Sequence, residues 1–485
     1  MIRRFSIITF LIIVGFSLTG YATYRVAGEI KCRWSLWRAV AVAAKTYREL
    51  DPLVRSSATE TYRPVPAGSL TFSREIAPIV HDKCATCHQP GNVAPFSLIT
   101  YHDLVRKRRM VAKVLKKHLM PPWKPVSGVG EFLGDFSLTV QERGMIMQWI
   151  AEGCLEGNPA EKLPMPQASE DWAAGEPDAV LSVTEDFAFE GEGDDEYRCF
   201  VIPTDFPEDR YVRAVDIRPG NKAIMHHALV FTDTTGTGRS LDEKDSAPGY
   251  RSFGTIGFEP TGTLGCWVPG MKPVELPDGV GYLLPKGGDV IVQVHYKRSG
   301  KVELDSTQMA LYFWDRPVDK QVRVLTVATP PNLLRIPAGS ADYLASGSRF
   351  VPGDITVIGL FPHMHLLGRE MVAAAIRSNG ETIPMLRIDD WDFDWQSVYM
   401  LKRGLRLESG SRVTCVAKFD NSEENPRNPN TPPLPVSFGI ETTSEMMLLC
   451  LYYIVDNEYI SRGQRMVGYP DSFVRFSDQL APCVR

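Results

Sequence analysis

Two hydrophobic periods divide this chain. From about residue 196 onward the period is two: Val290, Val292 and Val294 alternate with Ile291, Gln293 and His295, the pattern of a strand with two distinct faces. Strands of the same kind are predicted at Tyr211 to Ile217, Asp354 to Leu360, Arg412 to Phe419 and Met446 to Val455, separated by turn signals such as Pro219-Gly220, Pro352-Gly353 and Ser409-Gly410. Nearer the N-terminus the period is helical. A helix starting near Ser73 carries Ile76, Ile79 and Val80, and a second is opened by Thr139 with Glu142 three residues on, the form of a capping box. Met145, Ile146, Trp149 and Ile150 stripe that helix, and Gly153 stops it. Between the two regimes, residues from Asn158 are rich in Pro, Glu, Asp and Ala and end in an acidic stretch, the composition of an exposed linker. The expected fold is therefore mainly β with a small all-α domain. Helices occupy 70–157 and a linker 158–195; two antiparallel β-sandwich lobes follow at 196–330 and 331–485, with a seam near Thr329-Pro330-Pro331.

Length and charge narrow the picture only a little. The chain has 485 residues, 23% charged with a formal net charge of -5, and nothing in that balance calls for a nucleic acid. Arg3 and Arg4 precede an apolar run from Phe5 to Leu18, and Gly20 and Ala22 fit a cleavage site, so residues 1–22 read as an export signal, either cleaved or kept as an anchor in the membrane. Residues 23–69 follow as a linker or helix. The expected location is the bacterial periplasm, soluble or tethered to the inner membrane. Export puts the nine cysteines where disulfides persist.

Two of those cysteines are spoken for by a motif. Cys84-Ala85-Thr86-Cys87-His88 has the spacing at which two thioethers hold a haem covalently and the following His ligates its iron. Met120, in Leu119-Met120-Pro121-Pro122-Trp123, is the expected sixth ligand, with His118 as runner-up. This segment, with its Met-Pro turn and closing helix, resembles a cytochrome c domain. Seven cysteines remain (Cys32, Cys154, Cys199, Cys266, Cys415, Cys450 and Cys483), an odd number that cannot all pair within the chain. The run Arg106 to Lys117 makes a basic helix, read as a solvated face or as a dock for an acidic partner.

Five of the nine histidines fall into two groups. His226-His227 is followed by His295 in Gln293-Val294-His295-Tyr296; His363-Met364-His365 is followed by Glu445-Met446-Met447. On a strand, the side chains of His363 and His365 project from one face about 7 Å apart and can chelate one ion. Neighbours such as His226 and His227 point to opposite faces, so a shared metal there requires a bulge or rings that reach round. Imidazoles alone suit several metals, but a thioether such as Met446 favours copper.

The order His-His, Gln-x-His-Tyr, His-x-His, Glu-Met, spread over strand-like flanks, resembles the type II copper monooxygenases, the peptidylglycine α-hydroxylating and dopamine or tyramine β-hydroxylating enzymes. Tyr197-Arg198-Cys199 before Met225-His226-His227, and Leu276 to Tyr282 before Gln293, extend the likeness to roughly Glu196–Asn457. The resemblance implies two jelly-roll-like lobes facing across a solvent-filled cleft, with one copper on each. His226, His227 and His295 would hold an electron-transfer copper; His363, His365 and Met446, with Met447 as an outside candidate, would hold the copper that activates dioxygen. It also leaves open a Cys415–Cys450 disulfide. Peptide-amidating members place an Arg, an Asn and a Tyr where this chain has Phe361, Leu448 and Cys450. The implied substrate is thus a neutral or apolar small organic molecule, hydroxylated at a C–H bond. The fused haem would take electrons from a periplasmic donor in place of ascorbate. The alternative is a non-enzymatic copper-binding or electron-transfer protein.

Overall fold

A computed structural model describes residues 38–471 apart from 53–60, 162–163, 165–171, 184, 191–194, 253–254 and 298. The expected export signal, Cys32 and Cys483 lie outside the described residues. Among the described residues no helix is long and apolar enough to cross a membrane.

The molecule is mainly β. Strands predicted from alternation appear where expected: Arg210–Arg218, Asp289–Tyr296, Ile355–Met364, Arg412–Phe419 and Met447–Val455. Two five-stranded sheets pack around one core, in which Val290, Val292 and Val294 all point the same way. Two four-stranded sheets enclose a second core built from Val357, Leu360, Val413, Cys415, Leu449 and Leu451. The strand Arg323–Ala328, which precedes the Thr329–Pro331 seam, is hydrogen-bonded to Met447–Val455 in this second pair.

The two halves touch directly. Met447, Leu449, Leu451 and Tyr453 face the second core, while Cys450 and Tyr452, on the opposite face of the same strand, join Ile358 and Met400 in the first. Burial on both faces explains why Met447–Val455 reads as an almost unbroken apolar run rather than an alternation. Along this seam the two halves share hydrophobic packing.

Helices precede the sheets. Phe72–Ile76, Ala77–Lys83, Tyr101–Lys116 and Val140–Ala151 surround a small core of Ile76, Val80, Leu104, Val111, Ile146 and the fully buried Trp149. The Thr139–Glu142 capping box forms as predicted, and Thr100 with Asp103 makes a second one on the basic helix. The loop after Lys116 is stitched to the second pair of sheets: Val126 N–H donates to Arg387 O at 2.8 Å, Leu133 N–H to Met400 O at 2.8 Å, and Lys402 N–H to Glu131 O at 2.8 Å. A helix at 38–52 lays Ala43 and Leu50 on Val372, Ala374 and Val416, and Asp51 pairs with Arg387 at 2.7 Å.

Disulfides are absent among the described residues. Cys84, Cys87, Cys154, Cys199, Cys266, Cys415 and Cys450 are all free, so the expectation of disulfides is corrected. Cys415 lies inside the second core, whereas Cys450 points into the packing between the halves with its Sγ 3.5 Å from Thr326 Oγ1. The two thiols sit on different sheets of this pair, Cys415 facing the core between them and Cys450 facing away from it, and cannot meet.

Candidate copper sites and a shared cavity

The first histidine group is the product of strand register. Asp289–Tyr296 pairs on one side with Glu196–Pro203, setting Tyr197 opposite His295, and on the other with Met225–Asp233, setting His227 opposite His295. The latter ladder slips between Met225 and His227, the bulge that adjacent histidines require to share a ligand. As a result Nδ1 of His226 lies 3.1 Å from Nδ1 of His227 and 3.1 Å from Nδ1 of His295. Among the described residues this is the one group of three or more His, Cys, Asp or Glu side chains close enough to hold a metal ion. Nitrogens about 2.0 Å from a tetrahedral ion lie roughly 3.3 Å apart, so the trio fits a metal. Tyr197 stacks flat on the His295 ring at 4.2 Å, and His295 Nε2 donates to Asp195 Oδ2 at 3.1 Å, which leaves Nδ1 as the ligating atom.

The second group forms where the strand Ile355–Met364 ends. His363 and His365 rings stand at right angles with centroids 5.1 Å apart, and Met446 lines the same cavity beside them. Met447 does not: it pairs with Met364 and is buried in the second core. Each ring has its Nδ1 occupied. His363 Nδ1 donates to Gln396 Oε1 at 2.6 Å and His365 Nδ1 to Ser444 O at 3.0 Å, so Nε2 is the free atom on both. Two imidazole nitrogens with a thioether make a donor set suited to copper.

Glu445 builds this corner. It is fully buried, and its carboxyl accepts from the backbone N–H of His365 at 3.0 Å, Leu367 at 2.6 Å and Met446 at 3.2 Å, clasping the turn after His365 to the start of the Met446 strand. Burial pushes its pKa up to about 8 against the pull of those donors.

Burial also keeps the imidazoles neutral, the form that binds metal. It is the largest cause lowering His226 to about 4, His363 to about 3 and His365 to about 4, with neighbouring histidines adding to the shift at His226 and His363. His227 is driven well below its ordinary value by burial and by the charges that His295, His226 and His363 would carry.

Both groups open on one cavity of about 300 Å³. His227 reaches it from the first half, and His363, His365 and Met446 from the second; Phe231, Phe258, Trp267 and Phe393 wall it. Phe361, Leu448 and Cys450, the three departures from the peptide-amidating pattern, all line it; Phe361 lies opposite Cys450 and His363 opposite Leu448 across the strand pair. No Lys or Arg is among its described lining residues, and the carboxylate Glu259 already has an interaction of its own.

The haem motif also has a definite setting. Ala77–Lys83 ends at Cys84, the turn closes with His88 N–H donating to Cys84 O at 2.9 Å, and both thiols are free. His88 Nδ1 donates to Phe96 O at 3.0 Å, leaving Nε2 for an axial bond, and the ring packs on Phe96. These residues fit a covalently held haem. His118 is engaged with the Arg143 guanidinium through both ring nitrogens, whereas Met120 is half-buried just before Pro122 and Trp123.

Gln396, Glu445 and Asp195 are the contributors that sequence reasoning overlooked. Glu445 was visible as part of the Glu-Met motif but without a role; Asp195 sits at the end of the acidic stretch read as linker; Gln396 carries no local signal at all.

Residues 346–465, which include His363, His365 and Met446, match the family model described as copper type II ascorbate-dependent monooxygenase, C-terminal domain. The chain is 24% identical over 251 residues to dopamine beta-hydroxylase of Equus caballus, covering 47% of this chain and 40% of that protein. It is 22% identical over 281 residues to DBH-like monooxygenase protein 1 of Homo sapiens, covering 54% and 44%. The chain thus spans less than half the length of both relatives. A crystal structure of the STIV MCP aligns over 59% of this chain at 10% identity with a TM-score of 0.27, too low to bear on fold or function. The family model and the relatives support a type II copper monooxygenase relationship.

Proposed function

We propose that this chain is a copper-dependent monooxygenase that hydroxylates a C–H bond of a neutral or apolar small organic substrate with dioxygen, drawing electrons through a haem carried on Cys84, Cys87 and His88. The observation that carries this reading is that two imidazoles with a thioether, and His227 of a three-imidazole group, meet at a single largely apolar cavity. In the same reading the chain is exported to the periplasm, with Met120 as the sixth haem ligand.

Copper, when bound, supplies one-electron chemistry and the activation of dioxygen. The chain's own residues do the rest. Asp195 and the stacked Tyr197 hold the His295 ring, and the bulge at His226 turns three Nδ1 atoms toward one point. Gln396 and Ser444 fix the tautomers of His363 and His365 so that both present Nε2. Phe361, Leu448 and Phe393 keep the cavity dry and offer a substrate dispersion contacts rather than charge. With no cation among the described residues of the wall, an anionic substrate would be desolvated without a partner there, a cost of several kcal/mol.

The test is product analysis under oxygen-18 gas with copper-loaded protein and a panel of small apolar substrates. The expected outcome is an alcohol carrying one labelled oxygen, formed only when both copper sites are filled. Copper uptake and redox cycling without a labelled organic product would assign the chain to electron transfer alone.

A further inference from the structure

Seven of the twelve residues from Arg106 to Lys117 are Lys or Arg, on a chain whose formal net charge is -5. The helix Tyr101–Lys116 sorts them by its own period. Leu104, Val111 and Leu115 enter the core of the helical region, and the opposite face sets Arg106, Arg109, Met110, Lys113, Lys116 and Lys117 in solvent at spacings of three and four. Asp103 is the one acid on the helix, and its carboxylate accepts from Ser97 Oγ at 3.0 Å and from the Thr100 N–H at 3.3 Å in the cap. Among the described residues none of the seven cations makes an ion pair; Arg108 donates to Val105 O of its own helix.

The helix dipole favours Lys113, Lys116 and Lys117 in or beside the last turn, but it gives no reason for Arg106 and Arg109, two turns earlier. Like charges three and four apart repel along the whole stripe. The backbone hydrogen bonds that tie this region to the sheets lie beyond the helix, from Val126 to Leu133, so its outer face stays in solvent. Its position points to a use. Lys107 Nζ lies 4.8 Å over the centre of the Phe96 ring, that ring is 4.7 Å from the ring of His88, and Phe96 O accepts the His88 Nδ1 hydrogen bond. A cation of the helix is thus one aromatic ring away from the residue that would ligate the haem iron. A lipid surface fits the face poorly. A helix that lies on a bilayer inserts apolar side chains; here they are in the core, and the outer face of the helix offers only Met110, 42% exposed. An apolar residue rimmed by charge is instead the anatomy of a protein contact.

We propose that this face is the docking surface for an acidic one-electron donor protein, whose electron enters the haem borne by Cys84 and Cys87 beside His88. This rests on the haem reading given above and gives the partner its chemistry. The transfer balances as one electron: the donor is oxidised, ferric haem becomes ferrous, and no proton or bond is exchanged. The cations act by steering encounter, an effect that raises association rates and fades as salt screens it.

The experiment follows haem absorbance by stopped flow, without oxygen, after the full chain bearing haem and copper is mixed with an excess of reduced plant-type ferredoxin, used as an acidic one-electron donor. Between about 0.01 M and 1 M salt, where the screening length shrinks from about 30 Å to 3 Å, the second-order rate is expected to fall about tenfold or more. The triple variant Arg106→Glu, Arg109→Glu, Lys113→Glu is expected to lower the low-salt rate by a similar factor, and Gln at the same three positions to give an intermediate rate. Reduction by a neutral hydroquinone should be unchanged in both, with circular dichroism showing the helices intact. Lys244→Glu, Lys286→Glu, Arg403→Glu makes the same change in net charge at exposed positions of the β-rich part of the chain, and is expected to have little effect. A rate indifferent to salt, or an equal loss in the two triple Glu variants, overturns the docking site. So does capture of the unaltered chain, and not of the helix variant, on vesicles of phosphatidylglycerol and phosphatidylcholine while ferredoxin reduces both alike. A chain whose Cys84 and Cys87 carry no covalent haem by mass overturns the haem reading and the donor with it; a haem-bearing chain that fails the salt and charge tests overturns the docking alone.

Discussion

The two candidate metal sites are built on opposite plans. The three-histidine site is a product of one sheet: two neighbouring strands in fixed register, with one bulge, bring His226, His227 and His295 together, a third sets Tyr197 against His295, and a single carboxylate braces the result. The His363/His365/Met446 site is assembled at the end of a strand, where regular pairing stops. A buried Glu445, a strap through Gln396 and a carbonyl from Ser444 hold it in place. A site fixed by register is rigid and saturated with like ligands, which suits electron storage. A site at a strand end can afford an open face on the cavity and a soft sulfur donor.

The sharpest way to break this contrast is to remove the sulfur. Met446→Ala should lower product formation well over about a hundredfold, beyond the range for residues one layer behind a metal, while metal analysis finds the three-histidine site filled. Equal loss of copper from both sites would show that they are not independent. Next in size, Glu445→Ala strands three buried backbone donors at the corner of the second site. Each unsatisfied group costs about 1–3 kcal/mol, so chemical denaturation should show a loss of roughly 3 kcal/mol or more, with Glu445→Gln intermediate because an amide oxygen still accepts.

The brace on the first site is expected to matter less. Asp195→Asn keeps the size of the side chain but removes the charge behind His295, and should weaken copper binding there about tenfold in a chelator competition, leaving the second site unchanged. The last test sharpens what the sites share. Histidines lowered from an ordinary 6.5 to about 4 at His226 and His365 and about 3 at His363 bind fewer protons folded than unfolded. Stability of the metal-free protein is then complete above about pH 6.5 and lost progressively as pH falls through the folded values. A denaturation series from pH 7.5 to 4 checks this; a flat profile would mean the rings are not held neutral.

Much of this architecture was legible before folding. Alternation located Asp289–Tyr296 and Arg412–Phe419 because a strand's side chains must segregate by face, and the Thr139–Glu142 box marked a helix start because its two hydrogen bonds are local. The need for a bulge at His226 followed from the same two-residue period. What escaped were relations between segments. A Cys415–Cys450 pair stayed open because spacing says nothing about which face of which sheet a residue occupies. The packing between the halves escaped because apolar residues on the outer face of Met447–Val455 are indistinguishable, in one dimension, from those facing the sandwich interior.

The amino-acid order alone determined the ligand types, the strand that carries each, and the haem motif's local turn, since all of these depend on bonds and contacts within a few residues. Only the tertiary structure decided that His227 and the His363/His365/Met446 group meet at one apolar cavity, that Met446 and not Met447 faces it, and that Gln396 braces His363 there. Those are outcomes of packing between surfaces remote in the chain, where burial and shape complementarity act across distances that no local pattern records.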